Sequence, residues 1–324
     1  MKFKSEQEFI TRIQRLAQRR SDGLVRGIGD DAAVIESSRG LRWCLTTDLL
    51  IEGIHFDLRH DSPHSVGHKS LAAGLSDVAA MGATPRFALI SIAVPSSRAH
   101  TFLPCYYRGF MELADRHQVA LMGGDTSRAR SQIFIDVIVV GSVRAGREIL
   151  RSGARAGDHI FVTGALGKAA LGLDLLRRGK SPSEGMERLA VASHLYPTPR
   201  TGVGVQLCKA HIATSMIDIS DGLSTDLNHL CRESAVGARV YETRFPLLGE
   251  GLSKRRLRYA LTGGEDYELL FTVRSNRVAE LREEIGGVPV SDIGRIVPRS
   301  KGVRIVRANG TIESLTPAGW DHFR

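Results

Sequence analysis

A chain of 324 residues is long for a single domain and sets the expectation at about two. Its 42% hydrophobic and 24% charged residues describe a globular protein with a sizeable core, which excludes the disordered and fibrous classes. The formal net charge of +9, from 44 Lys and Arg against 35 Asp and Glu, would suit anionic ligands, but no dense basic run with interleaved aromatics marks a nucleic-acid surface.

Along the chain, the first twenty residues lack the apolar core of a signal peptide. Phe9, Ile10, Ile13, Leu16 and Ala17 instead recur at helical spacing. GIGDDAAVIESS, Gly27 to Ser38, has glycines where a phosphate loop would, yet it runs straight into Asp30 and Asp31. LRWCLTTD (41–48) alternates Leu41, Trp43 and Leu45, which predicts a half-buried strand ending at Asp48. SVGHKSLAAGLSDVAAMGA (65–83) is rich in small residues and predicts a closely packed helix, stopped near Gly82 and Pro85. RFALISIAV (86–94) predicts a buried strand, and TFLPCYYRGFMELADRHQ (101–118) a helix with Phe102, Tyr106, Phe110 and Leu113 on one face. IFIDVIVVGSV (133–143) is a further strand, too short to span a bilayer and interrupted by Asp136.

Turn-rich RSGARAGD (151–158) precedes HIFVTG, which opens a fresh unit, so domains are expected at 1–147 and 148–324. The second half predicts helices at 165–178, 200–211 and 221–235 and strands at 214–219 and 267–273. It adds a charged helix near 276–285 and strands near 291–297 and 302–307. SKRRLRYA (253–260) is expected to be a solvated helix face. The fold class is α/β or α+β in two domains. Cys44, Cys105, Cys208 and Cys231 are far apart with no C-x-x-C pair, which argues against zinc and against a disulfide framework. A cytoplasmic protein with no membrane or nucleic-acid partner is expected.

The distinctive feature is the placing of the carboxylates. Asp30, Asp31, Asp48, Asp77, Asp125, Asp218, Asp221, Glu265 and Asp266 mostly sit at element ends beside Gly, Ser or Thr. Any one of them has an ordinary capping or turn role. Gathered together they would repel unless a cation lay among them, and Asp oxygens with Ser/Thr hydroxyls are a magnesium ligand set. Magnesium would bridge to nucleotide phosphate, with Lys69 and Arg151 as candidate countercharges. No G-x-x-x-x-G-K-[ST] or dinucleotide G-x-G-x-x-G competes with this reading. His60, His64 and His68 are spaced i, i+4, i+8, but Pro63 interrupts them and they are expected to be solvated. His55 is the histidine expected near substrate.

GIGDDAAV, TTDLLIEGIHF, LSDVAAMGATP, MGGDTSR, RSGARAGD, IDISDGLSTDL, TGGEDYELLFTV and GWDHF together resemble the thiamine-monophosphate kinase family. That family lies in an ATP-binding superfamily with aminoimidazole ribonucleotide synthetase, selenophosphate synthetase and a hydrogenase maturation protein. Selenophosphate synthetase needs a reactive residue near its N-terminus, whereas Cys44 is the first cysteine here. The maturation protein ends in a cysteine, whereas this chain ends in Arg324. Gly74 departs from the Asn that family members often carry there.

The resemblance implies an aminoimidazole ribonucleotide synthetase-like fold. Its N-terminal α/β domain would form a barrel with a second subunit, a homodimer, and its C-terminal α/β domain would close over the nucleotide. The implied reaction is ATP + thiamine monophosphate → ADP + thiamine diphosphate, by direct in-line transfer. Carried over by position, Asp31, Thr46, Thr47, Asp48, Asp77, Asp125, Asp218 and Asp221 would hold several Mg²⁺ ions, with Asp30 serving mainly the turn. Tyr107, Gly124, Asp125, Arg151 and Ser220 would meet ATP, and His55, Glu265 and Trp320 would hold thiamine monophosphate. The rivals are a sister enzyme of the superfamily and a non-catalytic nucleotide- or metal-binding protein.

Overall fold

The computed structural model describes residues 5–17, 21–179, 185–249 and 253–323; Arg324 and parts of the N-terminal twenty lie outside the described residues. The apolar stripe at the N-terminus falls on helix α1 (Glu6–Leu16), capped by Ser5, which accepts from the Glu8 amide at 3.3 Å. No residue of α1 is buried, so it lies on the surface.

The first half continues with β1 (Leu24–Arg26), β2 (Ala33–Glu36), β3 (Leu41–Ile51), α2 (Pro63–Ala80), β4 (Thr84–Pro95), α3 (Ser96–His117), β5 (Ala120–Ala129) and β6 (Phe134–Arg144). Its six strands form one sheet in the order β1–β2–β3–β6–β4–β5, antiparallel except for the β4–β5 pair. Helices α2 and α3 pack on one face of it. Strand periodicity then decides which side chains meet them: Cys44, Thr46, Asp48 and Leu50 of β3 face the helices, while Trp43, Leu45, Thr47 and Leu49 face away. β3 runs on to Ile51, so Asp48 sits inside the strand, whereas the sequence predicted it at the strand's end. β4 alternates in the same way: Ala88, Ile90 and Ile92 are buried, and Phe87 and Ser91 are exposed. Unbroken apolar runs imply cover on both faces; this chain supplies one, and the other face leaves Leu49 and Met122 each 54% exposed.

The second half comprises β7 (His159–Thr163), α4 (Lys168–Arg177), α5 (Met186–Leu195), α6 (Thr201–Ala210), β8 (Ala213–Ile219), α7 (Leu223–Glu233), β9 (Gly237–Tyr241), α8 (Lys254–Thr262), β10 (Glu268–Val273), β11 (Glu284–Ile285), β12 (Val288–Val297), β13 (Val303–Val306) and β14 (Ile312–Ser314). The sheet order is β14–β13–β9–β12–β7–β10–β8, with β11 on β12; only β13–β9 is parallel. One continuous core joins the halves. Leu75 and Val78 of α2, Val137 and Val139 of β6, Leu207 of α6, Met216 of β8 and Phe271 of β10 belong to the same buried cluster.

Helix α2 therefore lies between the two sheets and is buried on nearly every side, which explains its small residues. Ser62 caps it by accepting from the Ser65 amide at 3.0 Å, and Pro63 starts its first turn instead of breaking it. A Cβ on Gly67 would lie 2.0 Å from the Tyr106 carbonyl oxygen, and one on Gly109 would lie 1.9 Å from that of His64, so α2 and α3 touch backbone to backbone. Deep in this packing His68 is buried, its Nε2 donating to the Pro197 carbonyl at 2.8 Å; it is not the solvated histidine its spacing suggested.

The charged segment near 276–285 is a short 3-10 helix (Ser275–Glu280) followed by β11. A tertiary contact overrides its helical composition: Arg277 donates to the carbonyls of Ala210 and His211 at the end of α6.

Candidate metal and phosphate site

Three elements bring carboxylates to one place. Asp31 ends the GIGDD loop before β2, Asp77 lies near the end of α2, and Asp218 lies near the end of β8; their oxygens come within 4.8 Å of one another. Asp48 of β3 adds a fourth charge from the sheet side, 3.4 Å from where a Cβ on Gly74 would stand. That same Cβ would be 2.6 Å from Val139 Cγ2, so glycine at 74 lets α2 sit tight on β6 beside the cluster.

Neutral donors serve two of the acids: the Thr46 hydroxyl donates to Asp77 Oδ2, and Ser76 Oγ donates to Asp218 Oδ2 at 2.6 Å. Arg151 is the cation in the cluster. Its Nε and Nη2 donate to Asp31 Oδ1 at 3.1 and 2.5 Å, and its amide donates to Asp30 Oδ1 at 3.1 Å.

Arg151, even with Arg26 Nε 3.2 Å from Asp30 Oδ2, does not balance this much acid. Burial, with Asp136 beyond it, pushes the Asp48 carboxyl up to about 7, and burial with Asp31 pushes Asp218 to about 8. Burial, Asp48 and Asp218 raise Asp77 well above the ordinary 3.8, and burial raises Asp31 even against Arg151. Asp30, buried beside Asp31, rises to about 6. Oδ2 of Asp31 and Oδ2 of Asp48 are buried with no hydrogen-bond partner. Orphaned hard oxygens in a crowded acidic pocket fit a divalent cation of the magnesium type.

Asp221 lies beyond Asp218 in the turn before α7, its carboxyl pushed to about 6 by burial and Glu6. Asp226, in the first turn of α7, accepts from the Asp221 and Gly222 amides at 3.2 and 3.0 Å and so shapes that turn. Asp226 lies in IDISDGLSTDL, eight residues after Asp218, where a first-turn acid of a helix is the signal for such a role. The Ser220 carbonyl accepts from the Glu265 amide at 2.8 Å, and the Trp320 amide donates to the Asp221 carbonyl at 3.1 Å. Glu265 adopts a φ of +65°, a conformation that costs a non-glycine residue strain and recurs at working sites. The His55 ring lies 5.0 Å from that of His322, which in turn lies 5.6 Å from Trp320. Burial and His322 hold the His55 imidazole below its ordinary value. Ser220, Asp221, Trp320, His322 and His55 thus form a chain of neighbours, with Glu265 joined through Ser220.

The remaining expected residues stand apart from the buried cluster. The Thr47 hydroxyl points to the open face of the sheet and donates to Asp136 Oδ1 at 2.6 Å. Asp125 is exposed on β5 beside Ser91. Gly124 and Asp125 line an open cleft of about 440 Å³ with Tyr107 and Met122. The expected ATP residues therefore do not lie together: Tyr107, Gly124 and Asp125 line the cleft, Arg151 stands on Asp31, and Ser220 sits beside Glu265. Lys69 is buried, where no phosphate reaches it.

Against known proteins, residues 29–143 match the AIR synthase related protein N-terminal domain and residues 155–307 the C-terminal domain of the same description. The chain is 34% identical over 304 residues to thiamine-monophosphate kinase of Bacillus subtilis, covering 92% of this chain and 93% of that protein. It is 36% identical over 302 residues to the enzyme of that name from Aquifex aeolicus, covering 91% and 92%. A solved chain described as AaThiL complexed with AMPPCP and TMP is 34% identical, with a TM-score of 0.86 over 100% of this chain and 99% of its own. Thiamine-monophosphate kinase from Stenotrophomonas maltophilia is 34% identical with a TM-score of 0.75, covering 91% and 93%. The hydrogenase maturation protein HypE, at 20% identity and a TM-score of 0.66, shares the fold.

Proposed function

The chain belongs to the thiamine-monophosphate kinase family, and from that premise we propose that its carboxylate cluster is a magnesium site serving phosphoryl transfer. It uses ATP to phosphorylate thiamine monophosphate to thiamine diphosphate. The observation that carries the metal reading is the pair of orphaned buried oxygens on Asp31 and Asp48. Asp31, Asp48, Asp77, Asp218 and Asp221, with Thr46, are the residues that would hold the ions; Thr47 and Asp125 would take part from the open face. Magnesium bound there supplies charge neutralisation between two phosphates that repel each other.

The protein's own groups do the rest. Arg151, fixed on Asp31, carries a guanidinium to the nucleotide. Glu265 and Trp320 offer the thiazolium a carboxylate and an aromatic face, and His55 flanks them. The family implies direct, in-line transfer; an acceptor phosphate oxygen is already ionised at neutral pH, so positioning replaces a strong general base.

The working unit in this reading is a homodimer. Leu49, Phe87, Met122 and Phe134 are exposed on the open side of the first sheet, and a second copy that buried them would give β4 and β6 the two-sided cover their composition implies. Light scattering should return twice the 35.3 kDa chain mass, and a monomer at assay concentration would sink the dimer. The domain boundary is placed at 147/148. The cytoplasm, where the nucleotide is, suits four free cysteines; no helix among the described residues is long and apolar enough to cross a membrane.

The assay that tests the function is ADP release from Mg·ATP. ADP should appear with thiamine monophosphate and magnesium together, and with neither thiamine nor EDTA-treated enzyme. Nucleotide binding without ADP release would move a sister activity of the superfamily into first place.

A further inference from the structure

Lys69 is 1% exposed, and its surroundings give its charge a different use from phosphate binding. Its Nζ donates to Glu265 Oε2 at 3.2 Å and to His194 Nε2 at 3.3 Å, and it lies 3.9 Å from Asp61 Oδ1. An ammonium only donates, so Nε2 of His194 must accept, which places that ring's proton on Nδ1. Nδ1 lies 3.0 Å from the same Glu265 Oε2. Asp61 completes the group: Oδ2 accepts from the Asp57 amide at 2.8 Å, and Oδ1 faces both Lys69 and His194 at 3.9 Å.

Oε2 of Glu265 is thus gathered by two groups from behind. Among the described residues no hydrogen bond reaches Oε1, and the side chain is 26% exposed. The backbone is pinned as well, through the bond from the Glu265 amide to Ser220. Glu265 and Asp61 thus face the Lys69 ammonium from two sides. Burial alone would push the Glu265 carboxyl up, but Lys69 and His194 hold it down at about 2. Asp61 and Lys69 come from the first half of the chain, and His194 and Glu265 from the second, so the group also sets how the halves meet at the substrate end.

We propose that Lys69 and His194, both faced by Asp61, are positioning residues that hold Glu265 Oε2, leaving Oε1 free to present the carboxylate's negative charge to a cationic ring in the phosphate acceptor. This rests on the thiamine-phosphate reading above and deepens it by naming what makes Glu265 selective.

Lys69→Met keeps the buried stem and removes the charge. It should raise KM for thiamine monophosphate about tenfold or more, with KM for ATP and kcat nearly unchanged. The preference in kcat/KM for thiamine monophosphate over its neutral thiophene isostere should fall by a similar factor. Because Lys69 acts through Glu265, the double variant with Glu265→Gln should be no worse than Glu265→Gln alone. His194→Leu should move the same preference in the same direction, and it carries the test if Lys69→Met does not fold. An unchanged cation preference, KM values for both substrates rising together, or neither variant folding would each overturn the proposal. Wild-type turnover of thiamine monophosphate is the control: its absence would sink the kinase reading, whereas its presence with unshifted variants sinks only this one.

Discussion

Asp77→Asn is expected to cut turnover at least about a hundredfold while the protein still melts as a folded molecule. Asparagine preserves the volume and the oxygen that accepts from the Thr46 hydroxyl, so local packing on β3 survives. What goes is one charge among Asp31, Asp48 and Asp218, at the acid nearest the middle of the cluster. In the metal-free protein that charge is a liability, because neighbouring carboxylates and burial oppose it. The variant in EDTA should therefore be as stable as the parent or more so. With magnesium the order reverses, since the parent gains more from the ion. Stability and turnover moving in opposite directions distinguish a lost ligand from a damaged fold. Near-normal turnover in Asp77→Asn would refute the metal-cluster reading.

How much of this was legible beforehand follows from what each segment packs against. Helix α2 was readable because a helix buried on nearly every side carries small and apolar residues all round, and SLAAGLSDVAA has them apart from Asp77. The acids of the cluster were readable because Asp48 and Asp77 sit beside Thr and Ser, and Asp31 and Asp218 lie within two residues of Gly or Ser, in GIGDD and IDISDG. Strand β5 was not: ALMGGDTSRA is exposed along almost its whole length and pairs only with β4, so nothing imposes an alternation of apolar and polar residues. Helix α5 was missed for a related reason, since it buries only Ala190 and His194. Its loss hid His194, whose meaning depends on Lys69 and Glu265, far away in sequence. The partition of Thr46 and Asp48 from Thr47 follows from strand periodicity, and TTD could have revealed it. The partnership of Lys69 with Glu265 depends on how the two halves dock, and no local pattern carries that.

Magnesium should stabilise this protein more as pH rises from about 6.5 to about 8.5, and the sign follows from the carboxylates. Asp48 and Asp218 titrate at 3.8 when unfolded, but at about 7 and about 8 in the metal-free fold. The fold thus binds more protons than the unfolded chain between those values. Stability from this source is full below the unfolded value, falls as pH rises, and is gone once pH passes the folded values. Asp30 and Asp221, at about 6, complete their loss earlier. The total is on the order of several kcal/mol, comparable to the whole stability of a domain. Buried histidines act oppositely. His55, His68, His117 and His229 have lowered values, so their contribution is lost as pH falls below 6.5 and is constant above it. Cys44, pushed up to about 12 by burial, matters only above its ordinary value of 9.0. Asp266, pushed up to about 7 by burial against the start of α4, loses its share in the same window with or without the ion, so the magnesium-dependent part of the slope is what reports on the cluster. Melting temperature in EDTA should fall steadily across that window, while in magnesium the curve should be much flatter, because the ion takes the place of the protons. A magnesium effect of the same size at both ends of the window would mean that the ion binds somewhere other than among Asp31, Asp48, Asp77 and Asp218.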